Sequence, residues 1–125
     1  KIGLIPDSAG TFFLPRLVGM QRAAALMMTA EPISANDAVN MGMIYKSFTD
    51  ETFETESWKL ASKLAKMPTK GLGLTKRLLN ASYSNNLDEQ LDMEDQCQTI
   101  AGKTTDYKEG VQAFLEKRKP NFKGE

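Results

Sequence analysis

Histidine is absent from the 125 residues, and cysteine occurs once, at Cys97. The first absence removes the usual imidazole base and the commonest metal ligand, and the second rules out an internal disulfide. His-dependent triads and zinc sites are therefore excluded, and no metal site is expected. Net charge is lacking too, since 16 Lys+Arg offset 16 Asp+Glu. Without a global positive field, neither nucleic acid nor a membrane surface is an expected partner, and any anion site must be local. No apolar run has the length to cross a bilayer, and the N-terminus lacks the charged, apolar, small-residue layout of a signal peptide. The expectation is a soluble, cytoplasmic protein.

What is present is close to the globular average: 41% hydrophobic and 26% charged residues, enough for one modest core. No internal repeat or flexible linker divides the chain. Lys1-Ile2-Gly3-Leu4-Ile5-Pro6 is apolar and β-leaning, has no initiator Met, and runs straight into the turn-forming Pro6-Asp7-Ser8-Ala9-Gly10. Met43 to Phe48 is the other strand-like stretch. One or two short strands do not make a sheet that stands alone, so the chain is expected to begin inside a larger fold.

The remainder reads as helix, in six or seven segments with apolar residues three and four apart. The first, from Ser8 or Gly10 to Val18, carries Phe12, Phe13, Leu14 and Leu17, which suggests burial, and stops at Gly19. Gln21 to Thr29 is small and apolar on nearly every face and is expected to pack on several sides. Ser34 with Asp37 resembles a capping box for a short helix ending at Gly42. Asp50 is expected to cap a longer helix to Lys66, and Pro68 to open the next, which runs to Tyr83. Asn86 with Glu89 forms a better capping box, for a helix to Ala101. The last helix, Asp106 to Arg118, ends in Lys117-Arg118-Lys119, where positive charge suits the dipole.

Few residues could carry chemistry. Asp7 sits in a turn feeding a helix N-terminus, and two readings stay open for it: a helix cap, or a carboxylate that shuttles protons. An ordinary Asp titrates at about 3.9, so a base active near neutral pH needs apolar walls, which Phe12 and Phe13 could supply. The basic cluster at 117–119 either stays solvated at its helix end or receives a phosphate. The seven methionines read as core before they read as an acyl-binding surface. Trp58 and Tyr83 read as packing residues. Cys97 has no base to activate it, and Ser8 has no partner that would make it a nucleophile.

The string Lys1 to Thr11 followed by Leu14-Pro15-Arg16-Leu17-Val18-Gly19 resembles the crotonase (enoyl-CoA hydratase/isomerase) superfamily. Ile33-Ser34-Ala35, Gly42-Met43-Ile44, Pro68, Thr75-Lys76 and the run from Thr105 to Arg118 agree in order with that family's C-terminal half. Pro6-Asp7-Ser8 and Gly71-Leu72-Gly73-Leu74 point within it toward an isomerase of aerobic phenylacetate breakdown. The resemblance implies a mainly α fragment of the α/β crotonase spiral fold, with its C-terminal helices serving homo-trimer or hexamer assembly. It implies an acyl-CoA substrate, no cofactor beyond the coenzyme A of that substrate, Asp7 as the acid/base, and Lys117 with Phe114 at the coenzyme A ribose phosphate. It also implies that the two N–H donors for the thioester oxyanion lie in the family's first half. Losing one such donor costs about 100-fold to 1,000-fold in rate, so this chain alone is expected to be nearly inert. Ala9 stands where the family commonly has Gly, at a turn suited to positive φ.

Overall fold

The computed structural model describes residues 3–125, which form seven α-helices. The chain divides into two compact units, Lys1–Glu54 and Thr55–Glu125. The first holds α1 (Gly10–Val18), α2 (Met20–Thr29), α3 (Ala35–Asn40) and the start of α4 (Asp50–Ala65). The second holds the rest of α4, then α5 (Thr69–Ala81), α6 (Leu87–Ala101) and α7 (Thr105–Leu115).

No strand occurs among the described residues. Lys1 and Ile2 of the first expected strand lie outside them, and Gly3 to Asp7 is irregular. The second expected strand, Met43 to Phe48, opens instead as a reversal against α3. The amides of Met43 and Ile44 both donate to the Ala38 carbonyl, at 2.9 and 3.3 Å. Gly42 donates to Val39 at 3.0 Å with φ at 79°, which completes a Schellman stop in the left-handed conformation glycine adopts freely. Amides spent on a helix end are not available to a ladder.

Within the first unit α1 packs against α2, and the two are joined by Gly19 alone, at φ 83°. Ser34 caps α3 by accepting the Asp37 amide at 3.0 Å, but the reciprocal half of the expected box is missing. The Asp37 carboxylate accepts the Ser34 hydroxyl at 2.6 Å instead, its side chain being one methylene shorter than the Glu of a full box. Asp50 is the first residue of α4 rather than its cap. The preceding Thr49 carbonyl takes the amides of Thr52 and Phe53, leaving Asp50 and Glu51 as first-turn acids that suit the dipole.

In the second unit α5 packs against α6, and the Asn86/Glu89 box is complete in both directions, at 2.9 and 3.0 Å. α7 starts one residue earlier than its pattern suggests. Thr104 is the cap, accepting the Tyr107 amide at 3.0 Å.

The buried apolar residues are small: Val18, Ala23, Ala38, Cys97 and Ala113. The burial expected of α1 and the all-round packing expected of α2 do not occur, with Phe12 41% and Phe13 47% exposed and only Ala23 buried in α2. Trp58 is 67% exposed, against its reading as a packing residue. The physical reason is geometric: a helix covered by one neighbour buries one stripe, and its other faces stay open.

Candidate functional site

Asp7 lies in the loop entering α1. Its carbonyl accepts the Gly10 amide at 2.8 Å, which closes a turn through Ser8 (φ 50°) and Ala9 (φ 62°). Two consecutive non-glycine residues in the left-handed region cost roughly 1–2 kcal/mol each, so the loop stores strain next to the carboxylate. The Ala9 position thus has the positive φ that a glycine would adopt without penalty. The capping alternative for Asp7 is not what the structure shows, because α1 takes Ala9 as its N-cap and no side chain caps it. The Asp7 carboxylate accepts the Ser8 hydroxyl at 3.2 Å and is exposed. Phe12 and Phe13 do not wall it off here. Their rings meet edge to face at 5.1 Å, and Arg16 lies 3.7 Å over the Phe12 ring.

The second candidate cluster is built on the end of α7 and the ten residues that follow it. Asp106, 3% exposed, accepts the backbone amides of Lys123 at 2.7 Å and Gly124 at 2.8 Å. The Asp106 amide and the Thr105 hydroxyl both donate to the Glu125 carbonyl, at 3.0 and 2.6 Å. The tail is thereby strapped back over the first turn of α7. Phe122 comes over Gly110, where a side-chain carbon would stand 3.5 Å from its ring.

α7 ends in a Schellman motif like that of α3. Lys117 donates to the Phe114 carbonyl at 3.2 Å and Arg118 to Ala113 at 3.0 Å, with Lys117 at φ 55°. Lysine occupies the left-handed position that Gly42 fills in α3. The reversal returns Arg118 along α7 to Glu109, where its fork makes two bonds of 2.6 and 2.9 Å. Its Nε reaches Glu116 at 2.6 Å, and the Asn121 amide donates to Glu109 at 2.7 Å. Arg118 and the Asn121 amide hold the Glu109 carboxyl down to about 2. Gln112 and then Arg118 lower Glu116, while Glu109 foremost raises Arg118.

These bonds correct the picture of a three-residue basic cluster. Arg118 is engaged with two carboxylates, whereas Lys117 and Lys119 are exposed and form no ion pair among the described residues. Phe114, 82% exposed, lines an open groove of about 470 Å³ with Pro68, Gly71, Tyr107, Val111 and Phe122. Lys117 and Phe114 are joined directly by the bond that ends α7. Asp7 belongs to the first unit.

Sequence reasoning missed the roles of Asp106 and Glu109. Glu109 and Arg118 are nine positions apart, outside the three- and four-residue spacings that pair charges along a helix, so only the reversal at Lys117 reveals the pair. No group of His, Cys, Asp or Glu suited to a metal occurs among the described residues, and none of their helices is long and apolar enough to cross a membrane.

The profile of the enoyl-CoA hydratase/isomerase family matches residues 1–125. The chain belongs to this family. Among curated relatives, the 1,2-epoxyphenylacetyl-CoA isomerase of Escherichia coli K12 is 48% identical over 124 residues, covering 99% of this chain and 47% of the relative. The trans-2-decenoyl-[acyl-carrier-protein] isomerase of Streptococcus mutans is 34% identical over 124 residues, with 99% and 47% coverage. The crystal structure of enoyl-CoA hydratase from Bacillus anthracis superposes with a TM-score of 0.91 at 35% identity, covering 99% of this chain and 48% of that one. The mainly helical character matches these crotonase-fold structures. The chain spans about half the length of the curated relatives it matches.

Proposed function

We propose that the protein is an acyl-CoA isomerase of the enoyl-CoA hydratase/isomerase family, with Asp7 as its acid/base and Lys117 beside Phe114 at the coenzyme A phosphate. The observation that carries the reading is Asp7 itself. It is a carboxylate in a strained left-handed loop, accepting one hydroxyl and otherwise open to a substrate, in a chain 48% identical to an isomerase acting on an acyl-CoA. Strain in a non-glycine loop points to function where the surroundings maintain it.

In this mechanism the Asp7 carboxylate takes a proton from carbon next to the unsaturated system of the acyl thioester. Negative charge passes to the thioester oxygen, and Asp7 returns the proton at the other end of the allylic system. The transfer is balanced by one carboxylate and needs no cofactor beyond the coenzyme A of the substrate. Hydration, the activity of an enoyl-CoA hydratase of fatty-acid oxidation, is the alternative and requires a second acid to deliver water, whereas the 48% identity to an isomerase supports isomerisation. The likeness to the E. coli isomerase supports a place in phenylacetate breakdown, and the single buried, unpaired Cys97 suits a reducing cytoplasm.

A direct test joins this chain to the preceding half of the E. coli isomerase and follows α-proton exchange of a 3-enoyl-CoA in deuterated water. Exchange is expected, and Asp7→Asn should lower it at least about 100-fold, as expected for loss of a general base. Asp7→Asn within about threefold of the parent rate removes Asp7 from the chemistry.

A second reading, a helical module for homo-trimer or hexamer assembly, is favoured by the exposed apolar side chains, including Leu4, Ile5, Met28 and Leu115. A discrete trimeric or hexameric native mass supports it, and a monomer counts against it.

A further inference from the structure

We infer that the Glu109–Arg118 pair is a positioning device that holds Lys117 in its left-handed conformation and so presents the Lys117 ammonium to a phosphate ester. The inference rests on the reading of Lys117 given above and extends it to two residues that touch no ligand.

The argument starts from the two Schellman motifs. At the end of α3 the left-handed residue is Gly42, φ 79°, which adopts that conformation without steric cost. At the end of α7 the same pair of backbone bonds closes around Lys117, φ 55°, where a Cβ is penalised. Glycine would take this position at no steric cost, whereas Lys117, like Ala30 (φ 51°) at the end of α2, holds it against a penalty. Something must then hold a backbone that glycine would adopt unaided.

The residue after Lys117 supplies the hold. Arg118 docks on Glu109 through both arms of its fork, at 2.6 and 2.9 Å, and through Nε on Glu116 at 2.6 Å. Glu109 is fixed in turn by the Asn121 amide at 2.7 Å, and Glu116 by the Gln112 side chain at 2.6 Å. Bidentate pairing constrains orientation as well as distance, so Arg118 can reach Glu109 only while the chain reverses at Lys117. The same pairing neutralises Arg118. Positive charge at this helix end is left to the exposed Lys117 and Lys119, and a phosphate meets lysine rather than a guanidinium fork.

The test compares binding of coenzyme A and 3′-dephospho-coenzyme A to the chain, alongside NMR of the Lys117 backbone. The chain is expected to prefer coenzyme A by roughly tenfold, the worth of one charge-assisted contact. Lys117→Ala should abolish the preference. Glu109→Gln should reduce it below about threefold and move the Lys117 Cα shift and coupling constant out of the left-handed range, while α6 resonances stay in place. The exchanged pair, Glu109→Arg with Arg118→Glu, should restore both. Preference lost in Lys117→Ala but kept in Glu109→Gln refutes the positioning role and leaves the phosphate reading standing. No preference in the parent chain refutes the phosphate reading, and unchanged Lys117 resonances in Glu109→Gln refute the positioning role whatever the affinity. A preference that rises in Glu109→Gln overturns the inference as well, because a released Arg118 would then be the better phosphate ligand.

Discussion

Replacing Asp106 by asparagine isolates what the tail strap contributes. The carboxylate is 3% exposed and accepts two backbone amides, Lys123 at 2.7 Å and Gly124 at 2.8 Å. Hydrogen bonds to a charged acceptor contribute about 1.5 kcal/mol or more each, so the pair is worth about 3 kcal/mol. Asparagine retains one acceptor oxygen and turns an NH2 toward the second amide, which should forfeit about half, roughly 1.5 kcal/mol. The Thr105 and Asp106 bonds to the Glu125 carbonyl remain, so the strap should open locally rather than unfold the unit. Amide exchange reads this directly: Lys123 and Gly124 should exchange about tenfold faster in Asp106→Asn, and up to about 100-fold faster in Asp106→Ala. Amides within α6 should keep their rates. Parent-like exchange at Lys123 and Gly124 in both variants would refute the reasoning, because the strap would then be held by other groups.

Four further outcomes are expected. Lys117→Gly relieves the left-handed strain and should raise stability by roughly 0.5–1 kcal/mol in thermal melts while removing the coenzyme A preference, opposite signs that a purely structural residue would not show. Ala9→Gly, at φ 62°, should stabilise by a similar ~0.5–1 kcal/mol, and a lower melting temperature argues against strain in the Asp7 loop. Glu109 sits at about 2 in the folded chain against 4.5 ordinarily, so its pairing favours the fold above pH 4.5 and is lost as pH falls through 2. The Glu109 carboxyl carbon followed by NMR should titrate near that lower value, and a midpoint near 4.5 would deny the pairing with Arg118. Gly124→Ala should loosen the tail and speed amide exchange at Lys123, since φ is 83° and an added Cβ would run into the Thr69 hydroxyl.

Legibility in sequence follows the range of the interaction. The Asn86/Glu89 box, the Gly19 break, the Pro68 start and the Gly42 stop each involve residues a few positions apart, and all are present as their residue types indicate. Where a local signal is shared between neighbours, the boundary moves by a residue, as at Thr49/Asp50 and Thr105/Asp106. Burial was not legible. Apolar periodicity on α1 and α2 marks faces able to pack, but it carries no information on whether a partner covers them, and Phe12 and Phe13 remain open.

The sequence by itself determined the helices, most of their ends, the family, and Asp7 and Lys117 as the residues to examine. Tertiary structure alone decided which charges were already engaged and which backbone positions were strained. Arg118 reads as one of three equivalent cations until the chain reverses and delivers it to Glu109, and Asp106 reads only as the start of a helix until the tail returns to its carboxylate. A cap is closed by residues in one turn, whereas a clasp across nine or eighteen positions exists only once the chain between has taken its shape.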